Sequence, residues 1–210
     1  MKIKVCGMRE PENMLAVGAS GIDFMGFIFY PPSPRYCGAT LTREMIEHLP
    51  EVVEPVAVTV NMDEDSILDL ASEYGFRFFQ LHGNETPEFC RSLREKGYKV
   101  IKAFGIKEES DFENVKRYSG CVDYFLFDTA SASRGGSGKK FDWDMLGCYS
   151  LSEPFILSGG ISPDDVGEIM QINHKSFAGI DLNSRFEVAP GLKDPGAVRQ
   201  FVKLMGRDDI

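Results

Sequence analysis

The sequence predicts an α/β protein, a single-domain (β/α)8 TIM barrel spanning residues 1–210. Three observations carry that reading. Strand-like and helix-like segments alternate eight times from end to end. The strand-like segments are short, apolar and rich in Phe, Val and Ile, as parallel strands covered on both faces should be. No glycine-rich dinucleotide fingerprint follows the first of them, which counts against the rival, an open doubly wound sheet.

The first strand is expected over 3–7, where an apolar run meets glycine, and a helix near 11–19 follows it. The second strand is expected over 24–29 and the second helix over 42–48. A strand over 55–60 leads to a helix over 63–74, opened by acidic residues that suit the positive end of the helix dipole. The strand over 76–81 precedes a helix over 86–96 with Pro87 at its start and Gly97 at its end. Next come a strand over 100–104 and a weaker helix over 109–118, then a strand over 124–127 and a short helix over 142–149. The seventh unit pairs a strand over 155–157 with a helix over 162–172 that carries Pro163 at its first position. The eighth pairs a strand over 177–182 with a last helix over 195–205. The loose segment is 129–140, whose Gly135-Gly136-Ser137-Gly138 run reads as a mobile loop or lid.

Composition narrows the function. The net charge is −9, with no basic stripe, which argues against nucleic acid and anionic membranes as partners. No apolar stretch is long enough to span a bilayer, and the N-terminus enters a charged, alternating strand with no signal-like region. The five cysteines are odd in number, widely spaced and without a Cys-x-x-Cys pair, which fits reduced thiols in a cytoplasmic protein. The three histidines are scattered and suggest no metal cluster. An anionic small molecule remains a fitting ligand, because converging backbone N–H groups outweigh a global negative charge locally.

In such barrels the chemistry sits at the C-terminal ends of the strands. The first strand ends in Cys6, a candidate base if its surroundings favour thiolate. The sixth ends in Asp128, a candidate acid if burial keeps it protonated. The two lie three strand steps apart around an eight-strand ring, so they would flank a ligand from opposed sides. Ser158-Gly159-Gly160 after the seventh strand, with Asn183 and Ser184 after the eighth, form a candidate phosphate site of backbone N–H groups. Arg35 stands in a loop stiffened by three prolines, suited to holding a guanidinium for a carboxylate. Gln80 and His82 end the fourth strand and Asp181 the eighth, completing the ligand-facing set. His82 is better suited to structural hydrogen bonds than to catalysis.

The ordered segments Lys4-Val5-Cys6-Gly7, Gly26-Phe27-Ile28-Phe29-Tyr30, Ser33-Pro34-Arg35-Tyr36, Gln80-Leu81-His82-Gly83, Phe127-Asp128-Thr129, Gly135-Gly136-Ser137-Gly138, Phe141-Asp142-Trp143, Ser158-Gly159-Gly160, Pro190-Gly191 and Lys193-Asp194 run over nearly the whole chain. With them the chain resembles the phosphoribosylanthranilate isomerases of tryptophan biosynthesis. The resemblance implies a cofactor-free, metal-free enzyme, monomeric or homodimeric. Its substrate would be N-(5-phosphoribosyl)anthranilate, converted to 1-(2-carboxyphenylamino)-1-deoxyribulose 5-phosphate by an Amadori rearrangement. It implies Asp128 as the acid that opens the ribose ring and Cys6 as the base that takes the C2 proton. It also implies Arg35 for the anthranilate carboxylate, Asp181 near the secondary amine, and Gly159, Gly160 and Ser184 for the phosphate.

One departure stands out. The family usually carries Ser-Ser-Gly-Val-Glu after the last strand, and this chain has Asn183-Ser184-Arg185-Phe186-Glu187. If the family's glycine needs a positive φ, Arg185 would be strained there. The alternative expectation is that Arg185 adds a charged phosphate contact.

Overall fold

The computed structural model describes residues 1–129 and 140–207. Eight parallel strands close into one barrel in sequence order: β1 (Lys2–Cys6), β2 (Phe24–Ile28), β3 (Glu54–Thr59), β4 (Phe78–Leu81), β5 (Lys99–Ile106), β6 (Tyr124–Thr129), β7 (Phe155–Leu157) and β8 (Phe177–Leu182). Closure is made by β1 and β8, in the register Lys4↔Asp181. The expected fold class is therefore the observed one.

Around the barrel run α1 (Pro11–Gly18), α2 (Arg43–Glu47), α3 (Glu64–Tyr74), α4 (Pro87–Glu95), α5 (Asp111–Lys116), α6 (Val166–Ile169) and α7 (Pro195–Leu204). Several starts are set by side-chain caps: Thr42, Asp63, Thr86 and Asp194 each accept from a backbone N–H of the first turn. Two expected helices are corrected. Over 142–149 the chain forms a 3-10 helix, Trp143–Cys148, started by the Asp142 carboxylate. Over 162–172 it forms a 3-10 turn, Pro163–Asp165, which passes into the single turn of α6. The Ser162–Asp165 capping box fixes the start of that segment but is compatible with either helix type. A short antiparallel hairpin, β9 (Glu187–Ala189) and β10 (Leu192–Lys193), follows β8 and was not among the expected elements.

Side chains alternate between the two faces of each strand, and this sorts the core from the site. Outward-facing Ile3, Val5, Phe27, Phe79, Phe125, Phe127 and Phe155 are fully buried between strands and helices. Inward-facing Phe24, Val56, Ile101, Ala103, Leu126 and Ile156 fill the lower barrel, with the Phe24 and Phe78 rings edge-to-face at 5.3 Å. Each buried large apolar side chain contributes about 1.5–3 kcal/mol. One step higher on the same inward faces the residues change character, to Cys6, Gly26, Gln80, Asp128, Ser158 and Asp181. The lower plug makes the floor on which those groups stand. No helix among the described residues is long and apolar enough to cross a membrane.

Candidate active site

Cys6, Arg35, Gln80, His82, Asp128, Ser158, Asp181 and Asn183 line one cleft of about 330 Å³, with Ile28, Tyr30, Val58 and Val60 as apolar wall. A smaller recess opens from it between Asp128, Ser158, Gly159, Gly160, Asp181, Asn183 and Ser184. All eleven residues singled out from the sequence thus gather at one mouth of the barrel.

Asp128 stands one residue from the end of β6. Its Oδ1 accepts from the Thr129 backbone N–H at 2.7 Å, and its Oδ2 lies 3.7 Å from His82 Nε2. Burial pushes this carboxyl up to about 6, and the neighbouring Asp181 anion adds to the effect. The loop after β7 passes close against it. Gly159 has φ +91°, and a Cβ there would stand 2.7 Å from Asp128 Oδ1 and 2.5 Å from Thr129 Oγ1. Glycine is what lets this loop, and the recess it lines, abut the carboxyl.

Across the cleft, Cys6 is 3% exposed. Burial raises its thiol, while the Lys4 ammonium pulls it back down. Lys4 is fully buried on the same interior face, two residues earlier, and its Nζ donates to Asp181 Oδ1 at 2.9 Å. Burial pushes Lys4 down; Asp181 outweighs this, with Cys6 adding to it, and the ammonium is raised overall. Asp181 Oδ2 also accepts from Ser158 Oγ at 3.3 Å. Gly26, paired with Cys6 on β2, makes room for these groups: a Cβ there would meet Cys6 Sγ at 2.8 Å and Lys4 Nζ at 3.0 Å.

Gln80 Nε2 lies 3.1 Å from His82 Nδ1. With the amide donating, the His82 proton sits on Nε2 and faces Asp128. The loop carrying His82 is tied down by Glu85, which accepts from the N–H groups of Asn61 and Gly83 and pairs with buried Lys102 at 3.2 Å.

Arg35 reaches the cleft with its guanidinium already organised. Its Nε and Nη2 donate to the two oxygens of Glu187 at 2.8 and 2.7 Å, a bidentate pair that is largely buried. Glu187 also accepts from Lys193 Nζ, which in turn donates to Asn183 Oδ1 at 2.7 Å. Burial lowers Lys193 below its ordinary value, partly offset by Glu187. The β9–β10 hairpin therefore connects the Arg35 end of the cleft to its Asn183 end.

Arg185 is relieved of the expected strain. Among the described residues the one non-glycine with positive φ is Asn61, and Arg185 sits in a 3-10 turn, Ser184–Phe186. Phe186 points into the core, its ring edge-to-face with Phe201 at 5.1 Å. Arg185 is not among the residues lining the recess. The Gly135–Gly138 loop and Arg134 lie outside the described residues.

Sequence reasoning passed over Lys4, Glu187 and Lys193. Lys4 carried a usable signal: a lysine inside an apolar strand covered on both faces needs a buried partner. Among the described residues no group of three or more His, Cys, Asp or Glu is placed to hold a metal ion.

Comparison with known proteins agrees with this geometry. The family model for N-(5'phosphoribosyl)anthranilate (PRA) isomerase matches residues 3–204. The N-(5'-phosphoribosyl)anthranilate isomerase of Phocaeicola vulgatus is 50% identical, over 98% of each chain. Among solved structures, the phosphoribosyl anthranilate isomerase of Thermotoga maritima superposes with a TM-score of 0.86 at 35% identity, over 98% of both chains. A further isomerase structure, in complex with reduced 1-(o-carboxyphenylamino)-1-deoxyribulose 5-phosphate, gives 0.83 at 32% identity, again over 98% of both chains.

Proposed function

The chain belongs to the N-(5'-phosphoribosyl)anthranilate isomerase family, and from that premise we propose how its cleft performs the Amadori rearrangement of tryptophan biosynthesis. The substrate is N-(5-phosphoribosyl)anthranilate and the product 1-(2-carboxyphenylamino)-1-deoxyribulose 5-phosphate. The observation that carries the reading is the opposition of Asp128 and Cys6 across one cleft, with a glycine-lined recess at one end and a guanidinium at the other.

The phosphate seats in the recess, against the backbone N–H groups of Gly159 and Gly160 and the polar groups of Asn183 and Ser184. The anthranilate carboxylate meets Arg35, whose Nη1 is left for a ligand once Nε and Nη2 are committed to Glu187. Seating both ends places the ribose between the two proton carriers. Asp128 protonates the ring oxygen, and the C1–O bond breaks to leave an iminium at C1. Its carboxyl, held near about 6 by burial, is a stronger acid toward that oxygen than the thiol and is more often protonated than an ordinary carboxyl. Cys6, as thiolate, takes the C2 proton. The negative sulfur and positive iminium become a neutral thiol and a neutral enolamine, which tautomerises to the ketone. Asp181 faces the cleft on the side taken by the secondary amine, with Gln80 and His82 also lining the cleft.

The direct test is turnover of phosphoribosylanthranilate generated in place, followed by loss of its anthranilate fluorescence. Decay well above the uncatalysed rate is expected. Absence of decay with retained binding of a product analogue would make this a binding barrel, and absence of both would overturn the reading.

A further inference from the structure

Lys4 is an expensive residue to keep where it is. It has no solvent exposure, and its one partner carboxylate, Asp181, comes from the far end of the chain. Buried ion pairs are commonly replaced by well-packed apolar side chains with no loss of stability. The fold does not by itself account for a lysine here. Its surroundings do: Nζ and the Cys6 sulfur crowd the same space, at 3.0 and 2.8 Å from the point where Gly26 lacks a side chain.

We propose that Lys4 is a positioning residue for the reaction, a buried ammonium that favours the reactive anionic form of the Cys6 sulfur and keeps the sulfur in place. The inference rests on Cys6 being the base. The sulfur is faced by Lys4 from its own strand, Asp181 from β8, Lys193 from β10, Arg35 and Cys37 from the segment after β2, and Asp128 across the cleft. Of the cations, Lys4 acts most strongly on Cys6, with Lys193 second. Asp181 favours the charged form of Lys4 against the opposing effect of burial. Lys4 transfers no proton. It stabilises the thiolate before C2 deprotonation, and the thiol formed afterwards no longer needs it.

The test uses Lys4→Met, Lys4→Arg, Asp181→Asn and the double variant Lys4→Met/Asp181→Asn. In each background the Cys6 titration is read as ultraviolet thiolate absorbance, taken as a difference against Cys6→Ser, alongside kcat and KM over pH. Lys4→Met should move the Cys6 titration up by about 1–3 pH units and cut kcat at neutral pH at least about tenfold, with KM little changed. Lys4→Arg should restore a substantial part of both. Because Lys4→Met leaves Asp181 buried and unpaired, it is liable to misfold. The double variant compared with Asp181→Asn then carries the test, and its titration should again be the higher. An unmoved Cys6 titration in both comparisons, or Lys4→Arg behaving like Lys4→Met, would overturn the proposal. Full turnover by Cys6→Ser would instead remove the base assignment on which it rests.

Discussion

Asp128→Asn separates the energetic consequences of the site from its chemistry. An ordinary Asp titrates at 3.8, and burial holds Asp128 near about 6. Between those values the folded protein keeps a proton that the unfolded chain has released. Stability therefore falls as pH rises across the interval and levels off above it. At about 1.4 kcal/mol per unit of pH, the interval costs the fold about 3 kcal/mol at pH 7 and above. Asparagine cannot ionise, and its oxygen can still accept from the Thr129 N–H. The variant should therefore be more stable than the parent by up to about 3 kcal/mol near pH 8, with the gain shrinking toward zero near pH 4. Urea denaturation at those two pH values measures it. Turnover should fall by about 10²–10⁴ while a product analogue still binds, as loss of a general acid requires. A variant equally destabilised at both pH values would refute the burial argument. One with unchanged turnover would refute the acid assignment.

Three further outcomes follow from the same geometry. Gly26→Ala forces its Cβ to within 2.8 Å of Cys6 Sγ and 3.0 Å of Lys4 Nζ, so the sulfur must shift by roughly 1 Å; kcat should drop by about 10²-fold with a stability loss of about 1–3 kcal/mol, measured by steady-state kinetics and thermal unfolding. Glu187→Gln removes the anion that orders Arg35 and Lys193, so KM should rise by about tenfold with kcat much less affected, and an unchanged KM would argue against Arg35 as the carboxylate partner. Gly159→Ala places a methyl against Asp128 and Thr129 in a backbone conformation L-residues avoid, so inorganic phosphate should compete far more weakly in inhibition assays than it does with the parent.

Much of this was legible because barrel strands carry their information locally. Each strand could be read from its short apolar run, and the strand ends named Cys6, Gln80, Asp128, Ser158 and Asp181 without knowledge of any contact. What stayed hidden was whatever depends on closure of the ring. Lys4 finds its partner 177 residues away, and Arg35 meets Glu187 152 residues away. No window of sequence contains both members of either pair. The β9–β10 hairpin is too short for periodicity to mark it, with three residues on one side and two on the other. The segment after Ser162 misled for another reason. Its cap and proline specify where a helix begins, while the choice between α and 3-10 is made by packing further on.

Burial displaces the two proposed proton carriers, Cys6 and Asp128, in the same direction, upward. At neutral pH the resting pair therefore holds a single proton, and it resides mainly on the sulfur. The proposed working form carries the same single proton on Asp128. Both forms have equal charge, so a pH–rate profile alone does not tell them apart. Driving force does. A carboxyl near about 6 is a far stronger acid than a thiol raised above 9.0, and the thiolate is the stronger base. Opening the ribose ring favours the stronger acid, and removing the C2 proton favours the stronger base. Exchanging the roles, with Cys6 as acid and Asp128 as base, would set the weaker acid and the weaker base to the same two steps. In the proposed mechanism the site gives up population of its working form in return for reactivity. The Lys4–Asp181 pair limits that loss, since its ammonium lies beside the sulfur and its carboxylate beside Asp128, stabilising the thiolate and the protonated acid together.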